Sequence, residues 1–515
     1  MAIATVLSRA QRGIDAPQVR VEVDIGPGLP TFNIVGLPEA VVKESKDRVR
    51  AALINSDFQF PSGRLTVNLA PADLPKEGGR FDFPIAIGIL SASGQLTDVR
   101  SELQESELYG ELSLSGELRS MKGVLPAALA ASVARHPVIV PHSNAPEAAL
   151  VKDCKVIAAR DILEVCAHFG GSCRLGLYRA ESPSGTPTVL PDLCDVRGQS
   201  HARRALEIAA AGQHSLLLIG SPGTGKSMLA QRLPGILPPM SDAEAMEVAA
   251  LRSIAGRPLK PSEWRARPFR SPHHTASAAA LVGGGVHPRP GEISLAHNGV
   301  LFLDELSEFE RYVLEVLREP LEAGAITISR AARQAEFPAR FQLIAAMNPC
   351  PCGYLGDPID SCHCTADQVQ RYRSRISGPL LDRLDLHVHV PPVEFQSLRG
   401  PSGGGEASTE VAARVIRARE LQIQRQGACN AHLNNAAVER YCTPNAAGLA
   451  ILERAMKYLA LSARGYHRVL KVARTIADMS DRPRIEAGHI SEAVALRLLD
   501  RNPDSSRFLT NPRSL

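Results

Sequence analysis

Gly220-Ser221-Pro222-Gly223-Thr224-Gly225-Lys226-Ser227 carries the clearest chemistry in the chain. This Gly-x-x-x-x-Gly-Lys-Ser spacing lets backbone N–H groups of residues 221–225 converge on a polyphosphate, with the positive end of the following helix facing the same charge. Lys226 is placed to reach β- and γ-phosphates. Ser227 offers its hydroxyl to Mg²⁺, a hard cation that takes waters and phosphate oxygens as its other ligands. The pattern points to ATP. Leu216-Leu217-Leu218-Ile219 ahead of the loop and Met228-Leu229-Ala230 behind it are the buried strand and the helix that such a loop must join.

A second segment supplies what hydrolysis needs beyond binding. Val300-Leu301-Phe302-Leu303 reads as a strand buried on both faces, and it ends in Asp304-Glu305. Asp304 would hold the Mg²⁺ shell, and Glu305 would orient water for in-line attack on the γ-phosphate.

Six of the ten cysteines are scattered, which is not the pattern of a secreted disulfide scaffold. The other four form Cys350-Pro351-Cys352 and Cys362-His363-Cys364, two C-x-C pairs separated by nine residues. Four thiolates on two tight turns can close a tetrahedral Zn²⁺ site; free thiols and a redox pair are the alternatives.

The net charge of +4, from 58 basic against 54 acidic side chains, does not by itself imply a polyanion partner. Local distribution says more. Arg252, Arg257, Lys260, Arg265, Arg267, Arg270 and Arg289 face one acid, Glu263, over that span, and Arg371, Arg373 and Arg375 lie beside the cysteines. The first of these segments suits contact with nucleic-acid phosphates, and equally suits a solvated charged loop. Trp264, the only tryptophan, could stack on a base or pack in a small core. His273 and His274 are adjacent in an extended loop, which argues against joint metal ligation and for a structural or nucleic-acid contact.

At 515 residues the chain exceeds one compact core, and 44% apolar with 22% charged residues is the composition of a soluble globular protein. Its longest apolar run, near Phe83–Leu90, is too short for a membrane span, and Met1–Ser8 lacks a basic n-region. The expectation is a cytoplasmic protein with no membrane partner. The reading is α/β and multidomain: an α+β domain over 1–170, a linker over 171–191, a parallel-sheet nucleotide domain over 192–396 with the cysteine insertion at 350–364, a linker over 397–407, and a helical domain over 408–515.

The nucleotide domain resembles the AAA+ ATPases, within them the magnesium-chelatase-like branch known as the YifB or ComM family. The resemblance covers nearly the whole chain. It rests on Gly220–Ser227, on Pro290-Gly291-Glu292-Ile293-Ser294-Leu295-Ala296-His297-Asn298-Gly299 leading into Asp304-Glu305, on Ser271-Pro272-His273-His274-Thr275, and on Asn348-Pro349-Cys350-Pro351-Cys352-Gly353. It implies a ring, usually of six subunits, with ATP between neighbours. Asn348 then resembles the first sensor, and Arg383 the arginine finger that a neighbour receives. Arg464 resembles the second sensor of the helical lid, with Arg468 competing for that role. Leu74-Pro75-Lys76-Glu77-Gly78 and Gly110–Gly116 resemble the catalytic domain of Lon protease. The nucleophilic Ser and the Lys of that pattern are missing, the latter replaced near Leu125, so no peptidase activity is expected.

The function implied is an ATP-driven DNA motor that acts on single-stranded or branched DNA, promoting branch migration or unwinding during integration of foreign DNA in natural transformation. Two alternatives are a protein remodeller and a chelatase-type motor; the chain carries no Asp-x-Ser-x-Ser string for the latter's metal-binding partner domain.

Overall fold

The computed structural model describes residues 3–37, 40–96, 99–179, 190–285, 288–330, 333–393, 405–459 and 461–497. The first unit is a mixed sheet. Its strand order is Thr31–Val35, Arg64–Ala70, Gln18–Gly26, Ala4–Arg9, Glu107–Leu108, Val138–Pro141, Val156–Ala159, antiparallel at its Arg64–Ala70/Gln18–Gly26 and Gln18–Gly26/Ala4–Arg9 pairs and parallel elsewhere. Strict alternation in Gln18–Gly26 puts Val19, Val21 and Val23 on the buried face. The apolar run noted above forms the helix Asp82–Ala92, buried along almost its whole length beneath that sheet.

The expected linker starts too early. Leu175 packs on the first core, Leu177 bridges Ile157, and the Tyr178 N–H donates to the Val156 carbonyl at 2.7 Å, so residues up to 179 belong to the first unit. One apolar side chain, Leu175, and backbone pairing to the strand Val156–Ala159 are the reason. The Pro/Ser/Gly-rich stretch 180–189 lies outside the described residues, as do 397–404 of the second expected linker and 498–515 of the helical domain.

The second unit is a five-stranded parallel sheet in the order Phe269–Arg270, Val300–Leu303, Gln342–Met347, Leu216–Ile219, Leu386–His389. Strands covered on both faces must be apolar throughout, and Leu216–Ile219, Val300–Leu303 and Gln342–Met347 are buried at every position. This order places the residues that follow Ile219, Leu303 and Met347 side by side at the carboxyl edge, where open parallel sheets bind ligands.

Helices Ser408–Gln426, Asn435–Tyr441, Ala446–Leu459, Ala463–Met479 and Ala487–Ala495 make the third unit. It shares one apolar core with helix Ser200–Gly212 and one face of the sheet. Arg419 is buried and donates to the Ala210 carbonyl at 2.6 and 2.8 Å. Asp385 is the other tie: its carboxylate accepts from the Ser215 N–H at 3.1 Å, faces His214 Nδ1 at 3.3 Å and is ion-paired with Arg468 of the third unit.

Helix Asp242–Ile254 joins the first unit to the second. It starts at a capping box in which Ser241 and Glu244 exchange hydrogen bonds at 2.8 and 3.2 Å. Near its end, Ser253 takes the Gly123 N–H on its carbonyl and the Leu125 N–H on its hydroxyl. Among the described residues no helix is long and apolar enough to cross a membrane.

Candidate nucleotide site and cysteine loop

At the end of Leu216–Ile219 the backbone turns through Gly220, where an added Cβ would meet the Val390 carbonyl at 2.3 Å, so this position admits no side chain. Lys226 then folds back over the loop. Its Nζ donates to the carbonyls of Gly220 and Ser221 at 2.7 and 2.9 Å and to Asn348 Oδ1 at 3.1 Å. Burial pushes its pKa down, with Asp304 and Glu305 opposing the shift. The Ser227 hydroxyl donates to Asp304 Oδ2 at 2.6 Å. Lys226, Ser227, Asp304 and Asn348, 122 residues apart at the extremes, therefore share one site. Pro222, Gly223, Thr224 and Gly225 of the same loop line a cavity of about 600 Å³. The hydroxyl of Ser227 beside the carboxylate of Asp304 is an all-oxygen donor set of the kind Mg²⁺ takes.

Glu305 has φ +52°, and its carboxylate lies 3.0 Å from His274 Nδ1. The Ser271–Thr275 loop thus reaches the residue expected to orient water, a contact no sequence spacing announces. His273 is bonded locally to Thr275.

The three arginines lie elsewhere. Arg383 is buried, ion-paired with Glu322 at 2.5 Å and bonded to the Pro379 carbonyl at 2.7 Å. Arg464 lies 3.9 Å from the same Glu322 with 63% of its side chain exposed. Arg468 is committed to the buried Asp385, which this pair and His214 hold far below the usual carboxylate range against the effect of burial. Arg383 and Arg464 meet at one carboxylate, not at Lys226.

The cysteine loop sits against the phosphate loop. Cys350, Cys352, Cys362 and Cys364 place their Sγ atoms within 4.8 Å of one another, an arrangement that could hold a metal ion. Backbone N–H groups, Tyr354's first among them, pull the Cys352 thiol down to about 6. Tyr354, Asp357, Ile359 and Asp360 form one wall of the 600 Å³ cavity, and Asp195–Gln199 supply another.

The basic insert is largely neutralised. Arg252 pairs with Glu263 at 2.8 Å, Arg265 with Asp242 at 3.2 Å, Arg267 with Glu244 at 3.3 Å and Arg270 with Glu292 at 2.6 Å. Three of these four acids, Asp242, Glu244 and Glu292, lie outside the span Arg252–Arg289. Arg257, Lys260 and Arg289 are exposed without an ion pair among the described residues. Beside the cysteines, Arg375 pairs with Glu308 at 3.1 Å, and Arg371 is exposed. Trp264 packs with Leu259 against Met240, Ala245 and Val248, so it is a small-core residue.

A glycine-rich loop after Leu216–Ile219, with Asp304 and Asn348 meeting it from two other strands of a parallel sheet backed by C-terminal helices, is the arrangement of a P-loop fold of the AAA+ type. Residues 21–144 match the family described as subunit ChlI of Mg-chelatase, 192–398 match magnesium chelatase, subunit ChlI, and 405–497 match its C-terminal family. The chain is 51% identical over 507 residues to competence protein ComM of Haemophilus influenzae, covering 97% of this chain and 98% of the relative. It is 48% identical over 505 residues to uncharacterized protein YifB of Escherichia coli, at 97% and 98% coverage. A shorter match, 25% over 195 residues, is to DNA replication licensing factor mcm6 of Dictyostelium discoideum, covering 38% of this chain and 19% of that protein. The chain belongs to the YifB/ComM family of magnesium-chelatase-like AAA+ proteins. Membership suggests ATPase activity in a motor of the AAA+ kind, with ATP and Mg²⁺ as its ligands.

Proposed function

We propose that this protein is a ring-forming ATPase that drives branch migration or unwinding of DNA, in the integration of foreign DNA during natural transformation. The observation that carries the ATPase part is the meeting of Lys226, Ser227, Asp304 and Asn348 at one sheet edge. In this reading Lys226 leaves its carbonyl partners for the γ-phosphate, Asn348 bonds the γ-phosphate or attacking water, and Glu305 orients that water once His274 releases it. When bound, Mg²⁺ neutralises charge between the β- and γ-phosphates. Ser227 and Asp304 are its holders.

Arg383, once it leaves Glu322, is the residue offered to a neighbour's γ-phosphate in a homo-hexamer, and Arg464 is the lid sensor. The first unit is a Lon-like domain without peptidase function. Support comes from Lys76, which is buried and bonded to the Pro71 carbonyl, and from Leu125, which is packed on the ATPase unit. Release of peptides from casein, abolished by Asp304→Asn, would overturn that part.

The DNA part rests on the likeness to competence protein ComM over nearly the full length of both chains. Of the two basic segments, Arg257, Lys260, Arg289, Arg371 and Arg373 are exposed without an ion pair among the described residues and are the cations offered to serve it. The test is ATP turnover with and without a synthetic four-way DNA junction, with Glu305→Gln as the inactive control. Junction-stimulated turnover that the substitution abolishes supports the reading. Turnover indifferent to DNA and stimulated by unfolded protein replaces it with protein remodelling, which the internal pairing of the basic insert would then explain.

A further inference from the structure

The nine residues between the two C-x-C pairs have no strand or helix of their own, yet they form a wall of the nucleotide cavity. We propose that a zinc ion bound by Cys350, Cys352, Cys362 and Cys364 closes this loop and so fixes the base-side wall of the ATP site, making nucleotide affinity depend on the metal. The inference rests on the reading of Gly220–Ser227 as that site.

The sulfur geometry fits the ion. Cys350–Cys352, Cys352–Cys362 and Cys350–Cys362 Sγ separations are 3.3, 3.5 and 3.6 Å. A tetrahedron with Zn–S near 2.3 Å has edges of about 3.8 Å, whereas a disulfide would bring one pair to about 2.05 Å. The Cys364 Sγ lies within 4.8 Å of the other three, so it belongs to the same cluster. Arg373 donates to the Pro349 carbonyl at 3.3 Å, and its positive charge beside Cys350 suits a thiolate cluster.

The loop is bolted to the phosphate loop at its near side. Gly353 has φ +91°, and a Cβ there would meet Pro222 Cδ at 2.7 Å, so only glycine allows this approach. Asp357 accepts the N–H groups of Ile359 and Asp360 at 2.9 and 3.2 Å, and the nearby Ser221 hydroxyl and these N–H groups hold its carboxyl below the usual range. Tyr354 and Ile359 give this wall a ring and an aliphatic chain, the surfaces a purine base takes; Ile359 is 78% exposed and so contributes little to holding the loop. With so few apolar anchors, the far end of the loop is fixed mainly by Cys362 and Cys364. Cys350 follows Asn348 by two residues, so the same ion also anchors the strand end that presents the sensor amide.

The experiment measures zinc content of the full-length protein by elemental analysis and Kd for ADP by calorimetry in three states: zinc-loaded, chelator-stripped and reloaded. Tyr354→Ala is measured in the zinc-loaded state, and Lys226→Ala serves as the non-binding reference. The expected result is one zinc per chain, ADP binding weakened roughly tenfold or more on stripping and restored on reloading, because the wall is no longer pre-ordered. Tyr354→Ala should weaken ADP about fivefold or more at unchanged zinc content, since an aromatic contact is worth about a kcal/mol. That variant carries the test if stripping unfolds the chain. Absence of stoichiometric zinc overturns the proposal, as does ADP affinity within twofold of wild type in both the stripped protein and Tyr354→Ala. Zinc-loaded protein that binds ADP no better than Lys226→Ala overturns the ATP-site reading itself.

Discussion

Arg464 and Arg468 stand about one helical turn apart at the start of Ala463–Met479, and the structure gives them opposite tasks. Arg468 has 23% of its side chain exposed and its partner Asp385 only 4%. Replacing Arg468 by Met leaves a carboxylate buried with His214 and the N–H and hydroxyl of Ser215 as its remaining partners, a loss of about 3–5 kcal/mol, taken at the low end because the arginine is not fully desolvated. At 1.4 kcal/mol per factor of ten, about 3 kcal/mol makes opening of the lid from the sheet roughly a hundredfold more frequent. Hydrogen exchange of amides in Ala463–Met479 reads that opening directly. Arg464 presents the reverse case. Its 3.9 Å pair with Glu322 is exposed and worth less than about 1 kcal/mol, so Arg464→Ala should leave lid exchange within about fivefold of wild type. If Arg464 contacts phosphate, the lost charged hydrogen bond of about 1.5–3 kcal/mol lowers ATP turnover roughly 10- to 150-fold. Lid exchange unchanged in Arg468→Met would refute the buried-pair argument. Turnover unchanged in Arg464→Ala would remove it from the site.

His274→Ala frees Glu305 from a half-exposed pair, so DNA-free turnover should rise, by less than about fivefold, with nucleotide Kd unchanged; a fall to the level of Glu305→Gln would show that His274 instead orients Glu305 productively. Asp385 has a depressed folded pKa, so its contribution is complete above its unfolded value near 3.9 and is lost as pH falls through the folded value. Lid stability should lose this contribution only below about pH 4, and Asp385→Asn should remove that acid dependence, as followed by exchange or near-UV dichroism. For DNA, joint replacement of Arg257, Lys260, Arg289 and Arg371 by Ala should flatten the plot of log Kd against log salt by about 0.9 per lost phosphate contact. By contrast, Arg267→Ala should lower thermal stability, because Arg267 also holds the Pro238 and Asn298 carbonyls at 2.7 Å; an equal change in salt slope from Arg267→Ala would contradict the pairing seen here.

Local patterns carried the ATP loop and the sheet strands, because a strand buried on both faces must be an apolar run and a phosphate loop must be glycine-rich. Asp304 was readable from the apolar strand that ends in it and Asn348 only through a family string, and their meeting with Lys226 and Ser227 is a product of strand order, which no local spacing encodes. The basic insert misled for a related reason. A count along the chain sees Arg265, Arg267 and Arg270 with one acid, whereas in space their partners Asp242, Glu244 and Glu292 arrive from flanking elements. His274 and the cavity wall at Tyr354–Asp360 were illegible for the same cause: each acts on a residue more than 30 positions away. Trp264 shows the converse, since its apolar neighbours Met240, Ala245 and Val248 were readable but their convergence was not.

The helix Asp242–Ile254 makes the first unit part of the ATPase in a stronger sense than a tether would. Ser253 receives two N–H groups from the first unit. Six residues earlier, about 9 Å along the helix, Glu247 takes bonds from His297 Nε2 at 2.9 Å and Asn298 at 3.0 Å. His297 Nδ1 accepts the Arg340 N–H at 3.0 Å, so its proton sits on Nε2 and points at Glu247, and burial keeps the ring neutral. Strand Val300–Leu303 starts two residues beyond Asn298 and delivers Asp304 and Glu305. Movement of the first unit relative to the sheet must therefore either carry this helix with it or break hydrogen bonds at Ser253. Either event is felt within one helix and one strand of the carboxylates proposed to hold the metal and the water.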